Sequence, residues 1–378
     1  MDLKDYRLQI DEIDQQMTEL FQMRMDVAQR IASYKKEHGL QVFDSGRERE
    51  KIKEINAMVR PDLKMYTTEL YSLIFELSKC HQHKNLINDI DQRIADALEN
   101  TPKEFPRDPV VACQGVEGAY SQIAAEKLFK IPDIMYFRSF ESIFAAIENG
   151  LCDYGVLPLE NSTAGSVKRV YDLMQKHNFS IVRSTRVKVD HCLLALPDTD
   201  ISEIREIYSH EQAISQCSDF LNSFTGVTVV PCENTAIAAQ KVKESGRKDI
   251  AAIASGSCAQ LYGIKTLKKA IQNQGNNYTK FICISKNIEI YPGADKTSLM
   301  MTLPHKPGSL YKALSHFYAL GLNLIKIESR PIPERDFEFM FYFDLETSVY
   351  SQEFVQLMSS LKDMSEEFMY LGSYSEVI

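Results

Sequence analysis

The sequence predicts three domains in series: an all-α domain over residues 1–100, an α/β domain over 110–286 and a βαββαβ domain over 297–378. Three observations carry this reading. No glycine precedes Gly39 and no proline precedes Pro61, while apolar residues recur three and four apart in that stretch. From residue 110 short apolar runs alternate with helical stretches. From residue 297 the order becomes strand, helix, strand, strand, helix, strand.

In the first domain Ile10, Ile13, Met17, Leu20, Val27, Ile31 and Tyr34 mark a seam along a helix of about 35 residues. A helix that long must pack lengthwise against partners. A short helix at about 45–58 and a long one at about 62–99 follow, the latter repeating the seam at Leu63, Tyr66, Leu70, Leu73 and Leu77. Three helices this thin make a poor monomeric core, so the domain is expected to dimerise. Proline-rich 101–109 reads as a linker. Strand-like runs at 110–113, 154–159, 191–196, 227–231, 250–254 and 281–285 predict largely parallel sheets, in one domain or two lobes about a cleft. The last segment gives strands at 298–303, 323–327, 337–345 and 368–371, with helices at about 308–320 and 352–364. That is the ferredoxin-like order.

A net charge of -9 argues against nucleic acid or an anionic membrane as the main partner. A local basic pocket can still take a small anion. The first residues, Met1–Arg7, lack the apolar stretch of a signal peptide, and no window approaches the ~18 apolar residues of a membrane helix. A cytoplasmic location is expected. The eight cysteines are scattered, form no C-x-x-C pair and sit mostly in apolar runs, as buried free thiols do. The eight histidines show no metal-ligand spacing, so neither metal nor cofactor is expected.

Arg24 falls on the seam, where a charge must be paired or must face a ligand. Lys35, eleven residues on, lies about 20° round the helix and about 16 Å along it. Two long cations can thus converge on a dicarboxylate; the alternative for Arg24 is a structural ion pair. Arg47 follows a turn next to Glu48 and shortly after Asp44, and Ser78 and Gln82 form an i, i+4 polar pair. With Arg7, these residues resemble the all-helical chorismate mutase domain that opens bifunctional bacterial enzymes of phenylalanine synthesis. Arg7, Arg24, Lys35, Asp44, Arg47, Glu48, Ser78 and Gln82 match its pattern in order. The resemblance implies an intertwined dimer that rearranges chorismate to prephenate, with Lys35 and Gln82 at the ether oxygen and Asp44 and Glu48 on the hydroxyl side. Arg7 lies about 25 Å along the helix from Arg24, so it would serve the partner subunit's site.

In the α/β domain Gln114–Ser121 follows a strand and opens a helix, which suits an anion but also a plain turn. Glu160, Asn161, Ser162 and Thr163 gather beyond a strand's C-terminal end, where open sheets bind ligands. Tyr208–Gln212 with Gln216, Asn234–Ala236 and Asn277–Phe281 occupy similar places, and His210 reads as structural. Together with Asp190–Leu194 and Leu261–Gly263 these stretches resemble a prephenate dehydratase, whose fold is two α/β lobes about a cleft. The resemblance implies Thr279 as the catalytic donor, and Glu160, Asn161, Ser162, Thr163, Ser209 and Gln216 as holders of prephenate. The family's Thr-Arg-Phe stands here as Thr279-Lys280-Phe281, which puts the role of the cation in doubt.

Pro307, Gly308, Ser309 and Leu310 lie between the last domain's first strand and helix, and Glu328, Ser329, Arg330 and Pro331 close its third element. Both motifs resemble the phenylalanine-binding ACT domain of prephenate dehydratases. L-Phenylalanine is then the expected feedback effector, and a homodimer or tetramer the expected assembly. The rival readings are a chain with only one active catalytic half, or a non-catalytic small-molecule sensor.

Overall fold

The structure is a computed structural model that describes residues 2–38, 45–83, 91–332, 335 and 338–378. The chain divides into two units, Met1–Asp96 with Leu299–Met369, and Ala97–Ser298 with Tyr370–Ile378.

In the first unit three helices come first: α1 (Leu3–Glu37), α2 (Ser45–Met58) and α3 (Lys64–His83). Asp2 starts α1 by accepting the N–H groups of Lys4 and Asp5 at 2.8 and 3.0 Å. The C-terminal third of α1 buries Ala28 and Ala32, while Phe75 is buried on α3. The N-terminal part of the seam stays bare: Ile10 is 56% exposed and Leu20 65%. One long helix was expected over about 62–99. Instead α3 is followed by a separate helix, Gln92–Asn100, opened by the Asp91 carboxylate accepting the Arg93 N–H at 3.0 Å. An aspartate offering its side chain to the backbone favours a helix start over a helix interior.

Strands Lys296–Thr302, Asn323–Pro331, Phe339–Glu346 and Glu367–Val377, with helices Ser309–Ala319 and Gln352–Met364, give the expected βαββαβ order. The second strand lies at the edge, then the third, first and fourth, as in ferredoxin-like sheets. Ala313 and Phe317 from one helix, Phe354 and Leu361 from the other, and Phe343 from the sheet are buried.

The second unit has two lobes. In the first lobe the strands run in the order Asp133–Phe137, Val110–Gln114, Tyr154–Asn161, Tyr278–Ser285, Ser180–Lys188. In the second they run Lys265–Lys268, His191–Ala195, Ile250–Ser255, Glu206–Ser209, Thr228–Pro231. Neither sheet is largely parallel, contrary to expectation. Val110–Gln114 is parallel to both neighbours, yet Tyr278–Ser285 is antiparallel to both of its own. The chain leaves the first sheet after Lys188, builds the second, and re-enters at Tyr278, where the strand inserts between two others and runs against both. Each lobe has its own apolar core, around Val156 and Cys283 in one and Leu194 and Ala252 in the other. Of the described cysteines only Cys232 is not buried, and all are free thiols.

Candidate active sites

Between the lobes lies a cavity of about 230 Å³. Antiparallel register sets Thr279 opposite Asn161 and Lys280 opposite Glu160. Successive strand residues face opposite ways. Asn161 and Thr279 line the cavity, and the Lys280 ammonium lies 5.8 Å from the Tyr374 ring centroid. The cation that stands in place of the family arginine is therefore not in the cavity wall, and Glu160 is not among the lining residues either.

Asn161 is the hub. Its Oδ1 accepts the backbone N–H groups of Thr163 and Ala164 at 3.0 and 2.9 Å. That fixes which end of the amide is nitrogen, and Nδ2 then donates to Thr279 Oγ1 at 2.9 Å. A hydroxyl that accepts a hydrogen bond keeps its own proton for another acceptor. Thr279, 8% exposed, can direct that proton into the cavity.

The remaining expected dehydratase residues divide. Gln216 lines the cavity and donates to Thr163 Oγ1 at 3.0 Å. Ser162 instead ties two strand ends together, donating to the Asn276 carbonyl at 3.0 Å and accepting the Tyr278 N–H at 2.9 Å. Ser209 is fully buried and donates to the Ile253 carbonyl at 2.7 Å, so its expected place beside the ligand gives way to a structural one. Proximity to a strand's end does not decide which face a side chain takes.

Three helices begin at the cavity wall. Tyr120–Leu128 follows Gly115, whose φ of +105° suits glycine and whose added Cβ would meet Ala119 Cβ at 3.2 Å. His210 caps Glu211–Gln216 by accepting the Gln212 N–H at 3.3 Å, and Asn234 caps Thr235–Ser245 through the Ile237 N–H at 2.8 Å. Helix N-termini favour anions, so the wall suits carboxylates without needing a cation. His191 also lines the cavity, and burial holds its imidazole below the ordinary value. The sequence reading included it in the Asp190–Leu194 stretch but gave it no role of its own.

In the helical part Arg24 donates to Ser78 Oγ and lies 5.4 Å from the Phe75 ring centroid. Burial lowers the pKa of its guanidinium. Glu48 pairs with Lys79 at 3.0 Å, a lysine that the sequence reading missed. Arg47 is largely exposed and pairs with Glu50 at 3.7 Å; Lys35 is half-buried and Arg7 exposed. Asp44 and the side chain of Gln82 lie outside the described residues. Seventeen residues of helix, about 25 Å, separate Arg7 from Arg24.

In the βαββαβ part Gly308 caps helix Ser309–Ala319 at φ +84°, and Pro307 stands in the turn before it. Ser309 and Leu310 begin that helix. Glu328, Ser329, Arg330 and Pro331 end the edge strand, paired with Tyr342, Phe341, Met340 and Phe339. Among the described residues there is no group of three or more metal-ligating side chains and no helix long and apolar enough to cross a membrane.

Residues 111–289 match the family profile described as prephenate dehydratase, and residues 6–83 that of chorismate mutase type II. The bifunctional chorismate mutase/prephenate dehydratase of Escherichia coli (strain K12) is 30% identical over 383 residues, 97% of this chain and 95% of that one. Among solved structures, a prephenate dehydratase in complex with L-Phe from Arthrobacter aurescens superposes with a TM-score of 0.65 at 26% identity, over 70% of this chain and 89% of that one. GqqA, described as a novel type of quorum quenching acylase, gives 0.64 at 29% identity, over 70% and 97%.

Proposed function

This chain belongs to the bifunctional chorismate mutase/prephenate dehydratase family, and we propose that the interlobe cavity and the α1–α3 cluster are its two active sites. The chain rearranges chorismate to prephenate and converts prephenate to phenylpyruvate, two steps of phenylalanine biosynthesis.

The first reaction is pericyclic and needs no nucleophile. The protein holds the folded conformer and stabilises negative charge growing on the breaking ether oxygen. Arg24, pre-set by Ser78, clamps one carboxylate. Lys35 and Gln82 meet the ether oxygen; Asp44, Arg47 and Glu48 complete the pocket, with Arg7 of a second copy. The bare apolar row on α1 supports that second copy: a core so exposed needs a partner.

In the second reaction the bond to the ring carboxylate breaks as CO2 leaves, its electrons enter the ring, and the ring hydroxyl departs as water. Thr279 donates a hydrogen bond to that hydroxyl, and the one proton that completes the water is taken up from solvent, so Thr279 ends the cycle with its own. The supporting observation is the Asn161 amide, whose fixed sense makes Thr279 an acceptor there and hence a donor into the cavity. Asn161 and Gln216, which line the cavity, orient the substrate, Thr163 braces them from behind, and the helix N-termini seat its carboxylates. Incubating the pure chain with chorismate and following prephenate and phenylpyruvate separately tests both assignments. Prephenate that accumulates without phenylpyruvate would leave the dehydratase half silent, and a chain that consumes added prephenate but not chorismate would leave the mutase half silent.

We further place the chain in the cytoplasm and read its 297–378 segment as an ACT domain that binds L-phenylalanine at the Gly308 turn and the Glu328–Pro331 segment of paired copies. The effector inhibits only if it prefers a state in which the interlobe cavity is less competent. Gly308→Val is expected to keep the chain active at phenylalanine levels that silence the parent. Valine is strained at φ +84° and its branches would occupy the ligand's approach. Calorimetry with parent and variant checks this; a parent that takes up no phenylalanine at millimolar concentration defeats the effector reading.

A further inference from the structure

Beside Thr279, four side chains close a ring in which each donates to the next. Asn161 Nδ2 donates to Asn277 Oδ1 at 2.7 Å, and Asn277 Nδ2 to Gln216 Oε1 at 3.0 Å. Gln216 Nε2 donates to Thr163 Oγ1 at 3.0 Å, and Thr163 Oγ1 back to Asn161 Oδ1 at 2.7 Å. The two ends of an amide are nearly the same in shape, so the sense of such a ring must come from donors that cannot turn. Here it comes from the backbone. Turning Asn161 would set its NH2 against the N–H groups of Thr163 and Ala164.

With Asn161 fixed, Asn277 must offer its oxygen to Asn161 and its nitrogen to Gln216. Gln216 must then offer Oε1 to Asn277. The same Oε1 lies 3.0 Å from His191 Nε2, which assigns the histidine proton to Nε2. The other ring nitrogen, Nδ1, is buried without a hydrogen-bond partner, which an unprotonated nitrogen tolerates better than an N–H would. The ring also joins the lobes, since Asn161, Thr163 and Asn277 adjoin the first sheet, while Gln216 ends a helix of the second lobe and His191 opens a strand of its sheet.

We propose that His191 is a positioning residue of the dehydratase: its Nε2–H, donated to Gln216, holds the Gln216 corner of the ring in place and so stiffens the Asn161 amide, whose sense the backbone sets and which keeps the Thr279 hydroxyl proton toward the cavity. Each bond in a closed ring polarises the next, so removing the donor at one corner weakens orientation at the opposite one. The inference rests on the reading of Thr279 as the donor to the departing hydroxyl.

Two substitutions in the full chain test it. His191→Leu removes the donor at similar bulk, and His191→Gln returns an N–H near the Nε2 position. Turnover of prephenate should fall roughly 30-fold in His191→Leu with KM within about threefold, and recover to within about threefold of the parent in His191→Gln. Chorismate turnover, which uses other residues, should not change in either chain. In the parent, ¹⁵N-histidine spectra should place His191 in the Nε2–H tautomer near pH 7. An unchanged turnover in His191→Leu, a His191→Gln no better than His191→Leu, or an Nδ1–H tautomer overturns the proposal. Thr279→Val separates the two readings. If it abolishes turnover while both His191 variants retain it, only the positioning role fails; if it leaves turnover intact, the site itself is wrong.

Discussion

A full-length chain carrying Thr279→Val is expected to lose prephenate turnover by more than about 100-fold while chorismate turnover stays within about twofold. The substitution keeps the branched shape of a strand residue that is almost wholly buried, and removes only the hydroxyl. Asn161 Nδ2 loses one acceptor but keeps Asn277 Oδ1 at 2.7 Å and the Tyr278 carbonyl at 3.3 Å. The structural cost should therefore be about 1 kcal/mol, too small to unfold the lobe. Separate assays with prephenate and chorismate decide the matter. A loss of less than about tenfold, or ~1.4 kcal/mol of barrier, would leave Thr279 without the principal donor role.

The mutase prediction is equally large and tests assembly as well as chemistry. Arg24→Ala and Arg7→Ala should each abolish chorismate turnover when alone, because each removes a clamp for a carboxylate. Mixed and allowed to exchange subunits, the two variants should regain about a quarter of the parental activity. Half of the dimers would then be mixed, and one of the two sites in each would hold both arginines. The motive is the length of α1, which carries Arg7 out of reach of the Arg24 it would have to assist. No recovery after verified exchange, or an active monomeric fragment of residues 1–100, rules out the shared site.

Local pattern made some of this legible and left the rest out of reach. The three- and four-residue rhythm of Ile10, Ile13, Met17 and Leu20 gave α1 nearly to its ends, because a helix writes its period into contiguous residues. The βαββαβ order was equally plain. Strand Ser180–Lys188 escaped because Arg183 and Arg186 interrupt its apolar run. Arg183 nevertheless lies 3.6 Å from the Phe105 ring centroid, a partner 78 positions away that no local pattern reveals. Sheet direction escaped for the same reason: whether Tyr278–Ser285 runs with or against its neighbours depends on where the chain re-enters. Around the interlobe cavity, composition pointed to loops that reach its wall but not to the faces their side chains take. Asn161 and Thr279 look inward while Ser209 turns to Ile253, and only register separates them. His191 lay in a stretch that carried the resemblance, Asp190–Leu194, but without a role; the one proposed for it follows from which end of an amide 30 residues before it, at Asn161, is oxygen.

The thiol inventory has a practical consequence. Burial pushes the Cys152 thiol up to about 11 and the Cys217 thiol up to about 12, so neither offers much thiolate to a maleimide at neutral pH. Among the described cysteines Cys232 is the partly exposed one, and it stands two residues before Asn234, the cap of a helix that begins at the cavity wall. With Cys80 replaced by serine, Cys232 becomes a native attachment point for a fluorophore, one that can report on the second lobe as prephenate enters and phenylpyruvate leaves.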